Sequence, residues 1–512
     1  MTITKETKKQ GNGYSQKQAS LTARPAKPYA YIGLMALLSA LCILREPGIW
    51  SFVGSVLMAG VLLLLLYLDI IRYQPLYARK SRMLVLLGFM VVFTLATSRA
   101  FEYILAGMVR GIEINASGAE IYGIPVAAGA MLVMLLFDFH TAIIVSFMVG
   151  LLAGLWQGDP SFAVYAFVSS LTAAFSVVRC KRRTAILRGG VMVLGANLIT
   201  LLTILLYKDM LITSFASYSL MFSAISVVLV VAIVSLMLPI LENIFKVTTD
   251  ISLLELLDLD HPLMKSLMIN APGTYHHSII VGNLVESCAE LAGVNPLLAR
   301  VGAYYHDIGK AKMPEYFIEN QMSGVNKHEK ITPHMSSMIL TSHVKEGVEL
   351  AIEYKLPEEV TDIIQQHHGN SLITYFFEKA KGEPGSDGPS EEVYRYPGPK
   401  PQTRTAALIM MADAVEAASR VLTEPTAARV NILVDKVMNH IFLTGQLEEC
   451  ELTFKDIHEI KNRFNYILTG ILHKRVNYPG FDFDKGRKDE GKHSKQTEED
   501  KAAASAGRER VA

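Results

Sequence analysis

What most constrains this chain is a set of long apolar runs confined to its first half. Before about residue 245 they are long enough to cross the roughly 30 Å hydrocarbon core of a bilayer, where a helix satisfies every backbone polar group. Eight spans are predicted, at about 29–44, 49–71, 83–100, 121–138, 140–156, 161–178, 190–207 and 218–242. The first is short for a span, and only Asp138, Phe139 and His140 part the fourth from the fifth.

Loop charges set the orientation. Lys5, Lys8, Lys9, Lys17, Arg24 and Lys27 precede the first span, Arg72, Arg79, Lys80 and Arg82 follow the second, and Arg179, Lys181, Arg182, Arg183 and Arg188 follow the sixth. The loops between carry no basic excess, so the positive-inside rule puts both termini in the cytoplasm. The basic tail, 1–28, precedes an apolar run without a small-residue cleavage pattern, so that run reads as an uncleaved signal anchor. The net charge is +1 and the basic residues sit beside the apolar runs, so the implied partner is the lipid bilayer and no DNA or RNA binding is expected. Cys42, Cys180, Cys288 and Cys450 are scattered and suggest no disulfide framework. Asn197, Ser169, Ser170 and Ser223 within the spans read as interhelical packing residues.

From Glu242 onward helix signals dominate: Asn295-Pro296 opens a helix that runs to His306-Asp307 and stops at Gly309, and Thr332-Pro333 opens one carrying His343. Leu356-Pro357, with Glu358 and Glu359, opens one ending at His367-His368-Gly369, and Thr403 to Leu422 is an unbroken stretch carrying Asp413. Thr274 is the expected cap for a helix carrying His277. The predicted fold class is all-α: a polytopic helical membrane domain at 29–242, then a cytosolic all-helical domain at 243–480. Residues 381–401, rich in Gly, Pro and charge, read as a flexible surface loop, and 481–512 as a disordered charged tail.

Seven residues with metal-binding side chains recur through this second domain: His277, His306, Asp307, His343, His367, His368 and Asp413. A lone His on an apolar helix face is ordinarily a hydrogen-bonded core residue, and His367-His368 alone reads as a helix C-terminal cap. Five such imidazoles would each need a separate polar partner, and a carboxylate on an apolar face must find a cation or several donors. A dinuclear metal site meets both demands, because imidazole offers a neutral nitrogen and a carboxylate can bridge two cations.

The order of these residues is similar to that of the HD phosphohydrolase superfamily, in the variant with a doubled His that holds two metals. Ala271-Pro-Gly-Thr-Tyr-His-His-Ser278, Tyr304-Tyr-His-Asp-Ile-Gly-Lys310, Phe317-Ile-Glu-Asn-Gln321, Thr341-Ser-His-Val344, Arg395-Tyr-Pro-Gly-Pro-Lys-Pro401 and Ala412-Asp-Ala-Val-Glu-Ala-Ala-Ser-Arg420 resemble the multi-spanning bacterial membrane HD proteins, the PgpH-like enzymes that hydrolyse cyclic di-AMP. The resemblance runs from about residue 50 to 480. Such proteins carry a large extracytoplasmic domain after the first span, whereas here only Arg45 to Gly48 part the first two spans.

The resemblance implies a multi-pass protein of the bacterial inner or plasma membrane that hydrolyses cyclic di-AMP to linear pApA. His277, His306, Asp307 and Asp413 would hold one divalent metal and Asp307, His343, His367 and His368 the other, with Asp307 as the bridge. Iron or manganese is expected over zinc for an octahedral imidazole/carboxylate site. Lys310 would contact the phosphate or help the departing 3′ oxygen; an ordinary C-terminal lysine near a helix dipole is the other reading. Hydrolysis of another cyclic dinucleotide or nucleotide stays open, as does a membrane receptor with a nucleotide-sensing HD module, a homodimer and a membrane signalling partner. The tandem Gly-Tyr-Pro signature of cyclic di-GMP-specific relatives is not found after His306-Asp307.

Overall fold

The structure, a computed structural model, describes residues 27–472 apart from 46, 75–76, 78–80, 112–117, 179, 181, 322–325, 383–388 and 423–424. Nearly all of the basic tail and the whole charged tail at 481–512 therefore lie outside the described residues. Every named element is helical, and one isolated antiparallel bridge joins Leu372 to Arg395.

Eight apolar helices come first: α1 (Lys27–Ile43), α2 (Ile49–Tyr73), α3 (Ser81–Gly111), α4 (Ala127–Leu136), α5 (Phe139–Gln157), α6 (Pro160–Ser176), α7 (Ala185–Tyr207) and α8 (Ser214–Phe245). By length and composition α2, α3, α5, α7 and α8 are able to cross a membrane, while Tyr29–Ile43, Glu120–Leu136 and Pro160–Ser176 are shorter apolar helices. The helices carry lipid-facing leucines and valines outside and small residues where they meet, as expected where lipid gives no hydrophobic drive to association. On α5, a Cβ at Gly150 or Gly154 would sit 2.9 Å from the Phe167 Cβ or 2.4 Å from the Ala163 Cβ of α6. Ser223 is engaged between helices, accepting from the Tyr165 hydroxyl at 3.2 Å.

After α8 the backbone turns at Lys246 (φ 50°) into α9 (Asp250–Leu256), which Thr249 and Ser252 open with reciprocal capping bonds. Polar ties fasten this join, two of them between the halves. Arg183 reaches Glu255 at 2.7 Å, Arg82 reaches Glu358 at 2.7 Å, and the Thr248 hydroxyl donates to Glu359.

The second half continues with α10 (Pro262–Asn270), α11 (Pro272–Ala289), α12 (Pro296–Tyr305), α13 (Pro333–Glu353), α14 (Glu358–Gln366), α15 (Thr374–Lys381), α16 (Arg404–Ser419), α17 (Ala427–Leu443) and α18 (Phe454–Leu472). Asn295, Thr332 and Thr403 cap α12, α13 and α16 as their sequence signals require. Thr274 does not cap α11: the helix begins at Pro272, and the Thr274 hydroxyl donates to Glu319 at 3.0 Å. The helix α16 is buried around nearly its whole circumference, packed by α11, α12, α14 and α17. Asp413 and Glu416 thus lie at the centre of this half, where only strong partners can hold them.

Of residues 381–401, expected to be a flexible surface loop, 394–396 are fastened inward instead, while 390–393 are exposed and 383–388 lie outside the described residues. Ile373 donates to the Tyr394 carbonyl at 2.8 Å, Tyr396 to that of Ser371 at 3.0 Å, and the Arg395 guanidinium to that of Asn370 at 3.0 Å. Tyr394 is buried against Phe376 and Phe377.

Candidate metal centre

Five elements aim the seven residues at one point. His277 comes from α11, His306 and Asp307 from the turn after α12, His343 from α13, His367 and His368 from the end of α14, and Asp413 from α16. All are buried except His368, which is partly so.

Three of the imidazoles are oriented by their own backbone. Nδ1–H of His306, His343 and His367 donates to the carbonyl three residues earlier, at Ala303 (2.7 Å), Leu340 (2.5 Å) and Ile364 (2.8 Å). That bond fixes the tautomer and leaves a bare Nε2 lone pair pointing inward. Asp307 lies among these nitrogens, with Oδ2 3.2 Å from His306 and 3.7 Å from His277, and Oδ1 3.3 Å from His343 and 3.6 Å from His367. Its two oxygens thus address two different groups, and the ligating atoms gather as His277, His306, Asp413 on one side and Asp307, His343, His367, His368 on the other.

His306 Nε2 and both Asp307 oxygens are buried without a hydrogen-bond partner among the described residues. Lys310 Nζ is 2.7 Å from Asp307 Oδ2, an ion-pair distance that lacks hydrogen-bond alignment. Buried lone pairs of this kind, facing one another, are a donor set that a divalent cation satisfies. This buried cluster fits divalent metal ions.

The electrostatics agree. Burial opposes ionisation of Asp307, but His306 and then Lys310 outweigh it and hold the carboxylate well below its usual range. Burial pushes His343 down to about 3 and His368 well below its ordinary value, keeping both neutral as ligands must be. Lys310 is itself held between Asp307 and Glu319, 3.0 Å away, and burial is overridden so that its ammonium stays charged.

His277 differs, because its orienting partner is a side chain. Its Nδ1 bonds Glu416 at 2.5 Å and its Nε2 bonds Asp413 at 2.9 Å, while the Arg420 Nε donates to Glu416 at 2.9 Å. Burial lowers its affinity for a proton, but the bonds to Asp413 and Glu416 prevail and raise its pKa to about 9. In metal-free protein this imidazolium stabilises the fold fully below its ordinary 6.5, and the contribution is lost as pH rises through about 9. A metal must displace that proton. Divalent-metal affinity of the metal-free chain is therefore expected to strengthen as pH rises toward about 9. Glu416→Ala is expected to weaken it about 10–100-fold. Competition with a chromophoric chelator at several pH values checks both, and a pH-independent affinity unmoved by Glu416→Ala would contradict them.

Sequence reasoning gathered the seven residues but gave no role to Glu416, which stands three residues beyond Asp413 on the same helix face, a spacing that was visible. Glu319 and Tyr396 were seen only inside motifs. The Tyr396 ring lies 4.2 Å from that of His368, tilted 31°, so it forms a wall of the site.

Residues 49–249 match the family model described as 7TM receptor with intracellular HD hydrolase, and residues 274–418 match that of the HD domain. The chain is 38% identical over 370 residues to the cyclic-di-AMP phosphodiesterase PgpH of Bacillus subtilis, covering 70% of this chain and 51% of that protein. It is 41% identical over 332 residues to the PgpH of Listeria monocytogenes, covering 63% and 45%. The crystal structure of the L. monocytogenes PgpH HD domain is 47% identical and covers 42% of this chain and 100% of that one, with a TM-score of 0.40. The chain spans about half the length of these curated relatives. A membrane half that matches the 7TM model runs into a half that matches the HD domain, and over that join the chain is homologous to the PgpH proteins.

Proposed function

We propose that the protein is a membrane-anchored, metal-dependent phosphodiesterase that opens cyclic di-AMP to linear pApA. The observation that carries this reading is Asp307, whose two buried, unbonded oxygens face two separate sets of ligating atoms. Its kinship to the cyclic-di-AMP phosphodiesterases named PgpH supplies the substrate.

In this reading His277, His306, Asp307 and Asp413 hold one metal and Asp307, His343, His367 and His368 the other, with iron or manganese preferred by the mixed imidazole/carboxylate set. A metal pair supplies a hydroxide from water and neutralises phosphodiester oxygens. The chain's own residues do the rest. Asp307 spans the two positions, and Lys310 keeps it ionised and fixed in place, a role at the carboxylate instead of at the phosphate. Glu416 and Arg420 hold the His277 ring, while the Tyr396 ring packs on that of His368. In this reading residues 29–242 lie in the bilayer, 243–480 form the HD unit, and both termini face the cytoplasm with the nucleotide. A topology reporter fused after Lys246 is expected to read cytoplasm; an external signal would separate the site from its substrate.

The deciding experiment loads the full chain anaerobically with iron or manganese in detergent and compares cyclic di-AMP with cyclic di-GMP, resolving products by chromatography. Faster opening of cyclic di-AMP, giving pApA, is expected. Preference for cyclic di-GMP, or binding of cyclic di-AMP without cleavage, would defeat the proposal.

A further inference from the structure

Lys310, His343, His367, His368 and Asp413 open onto a cavity of about 540 Å³, and Lys436 and His440, from α17, line the same space. They stand four residues apart, so they share a helix face, and both are exposed to the cavity. The Lys436 ammonium is unspent. Lys310, the other lysine of the lining, is taken up by Asp307 and Glu319, and neighbouring Asp435 holds Lys461 at 2.9 Å. Lys436 and His440 make no ion pair or side-chain hydrogen bond among the described residues. Ala414 and Ala417 of α16 line it as well, and their small side chains take up little of its width.

A cavity lined both by a ligating cluster and by a lysine with no counter-charge of its own suits a ligand carrying two separated anions. A cyclic dinucleotide is such a ligand, because the phosphodiester being cleaved leaves its twin across the ring. Enclosing that twin without a counter-charge would be costly, and an ammonium with three donors is the compact partner for it.

We propose that Lys436, assisted by His440, binds the second, unreacted phosphodiester of a cyclic dinucleotide whose first phosphodiester lies at the His/Asp cluster. The inference rests on the phosphodiesterase reading above. It makes Lys436 a determinant of selection for cyclic dinucleotides over diesters that carry one phosphate.

The test measures KM and kcat of the full, manganese-loaded chain in nanodiscs with cyclic di-AMP and with bis(p-nitrophenyl) phosphate, which has a single phosphate. Lys436→Ala is expected to raise KM for cyclic di-AMP about tenfold or more, with kcat within about twofold, as for loss of one charge-assisted hydrogen bond. Lys436→Arg restores KM in large part, and KM for the single diester does not follow the change. An unaltered KM for cyclic di-AMP in Lys436→Ala, or an equal rise for both substrates, overturns the inference while leaving the phosphodiesterase reading in place. Cleavage of the single diester by the unsubstituted chain without any of cyclic di-AMP overturns both.

Discussion

Asp307→Ala is expected to strip both metals from the protein and to cut turnover of cyclic di-AMP at least ~1,000-fold. The reason is the division of its carboxylate, with Oδ2 toward His277 and His306 and Oδ1 toward His343 and His367, so that one truncation opens both halves of the centre. It also leaves the buried Lys310 ammonium with Glu319 as its remaining close carboxylate, an imbalance worth several kcal/mol when a buried pair is broken. Asp307→Asn keeps the shape and separates charge from packing. Elemental analysis of anaerobically purified protein should give two metals per chain before substitution and none after it, with helicity by circular dichroism largely kept. Retention of one tightly bound metal by Asp307→Ala would show that the carboxylate is not shared.

Gly309→Ala is expected to do comparable harm by sterics alone. A Cβ at Gly309 would lie 1.9 Å from the His343 carbonyl oxygen and 2.6 Å from the Gly347 nitrogen. Both obstacles are backbone, so no side chain can swing aside, and the short helix Ile308–Lys312 must part from α13. Relief of that overlap should cost about 3 kcal/mol or more, at the upper end of overpacking. Because His343 Nε2 is only 3.3 Å from Asp307 Oδ1, any such parting widens the second half of the metal centre, which should lose its metal first. Gly347→Ala is the control: its nearest neighbour is the Ile364 Cγ2 at 2.8 Å, a side-chain methyl that can yield. Thermal unfolding of the metal-free variants checks the order, and equal melting temperatures for the two would refute this account.

The membrane half and the helical class were legible because apolar runs and loop charges are one-dimensional signals, each written beside the element it governs. Helix starts at Asn295, Thr332 and Thr403 were legible for the same reason, since a cap acts on residues two or three ahead. Thr274 misled because its hydroxyl is claimed by Glu319, 45 residues along, and no local pattern records that. Residues 381–401 looked loose from their Gly and Pro content, yet the Ile373 N–H bond to the Tyr394 carbonyl, the Arg395 bond to the Asn370 carbonyl and the packing of Tyr394 fasten 394–396. In the centre, the residue types of the cluster were readable from spacing. That Lys310 lies against Asp307 and Glu319 was not, since a lysine after a helix reads the same whether it meets a carboxylate or water.

The i−3 carbonyl bonds at His306, His343 and His367 also bear on how this centre tolerates sequence drift. Elsewhere an outer carboxylate that steers a histidine is a single codon, and one base change can remove it. Here the steering atom belongs to the main chain, which every amino acid supplies. Neighbouring positions on α12, α13 and α14 are therefore free to diversify without disturbing ring orientation, provided the helical turn survives. His277 is the exception, tied to a replaceable Glu416. Among the partners that orient these four rings, Glu416 on α16 is thus the one that a side-chain substitution can remove.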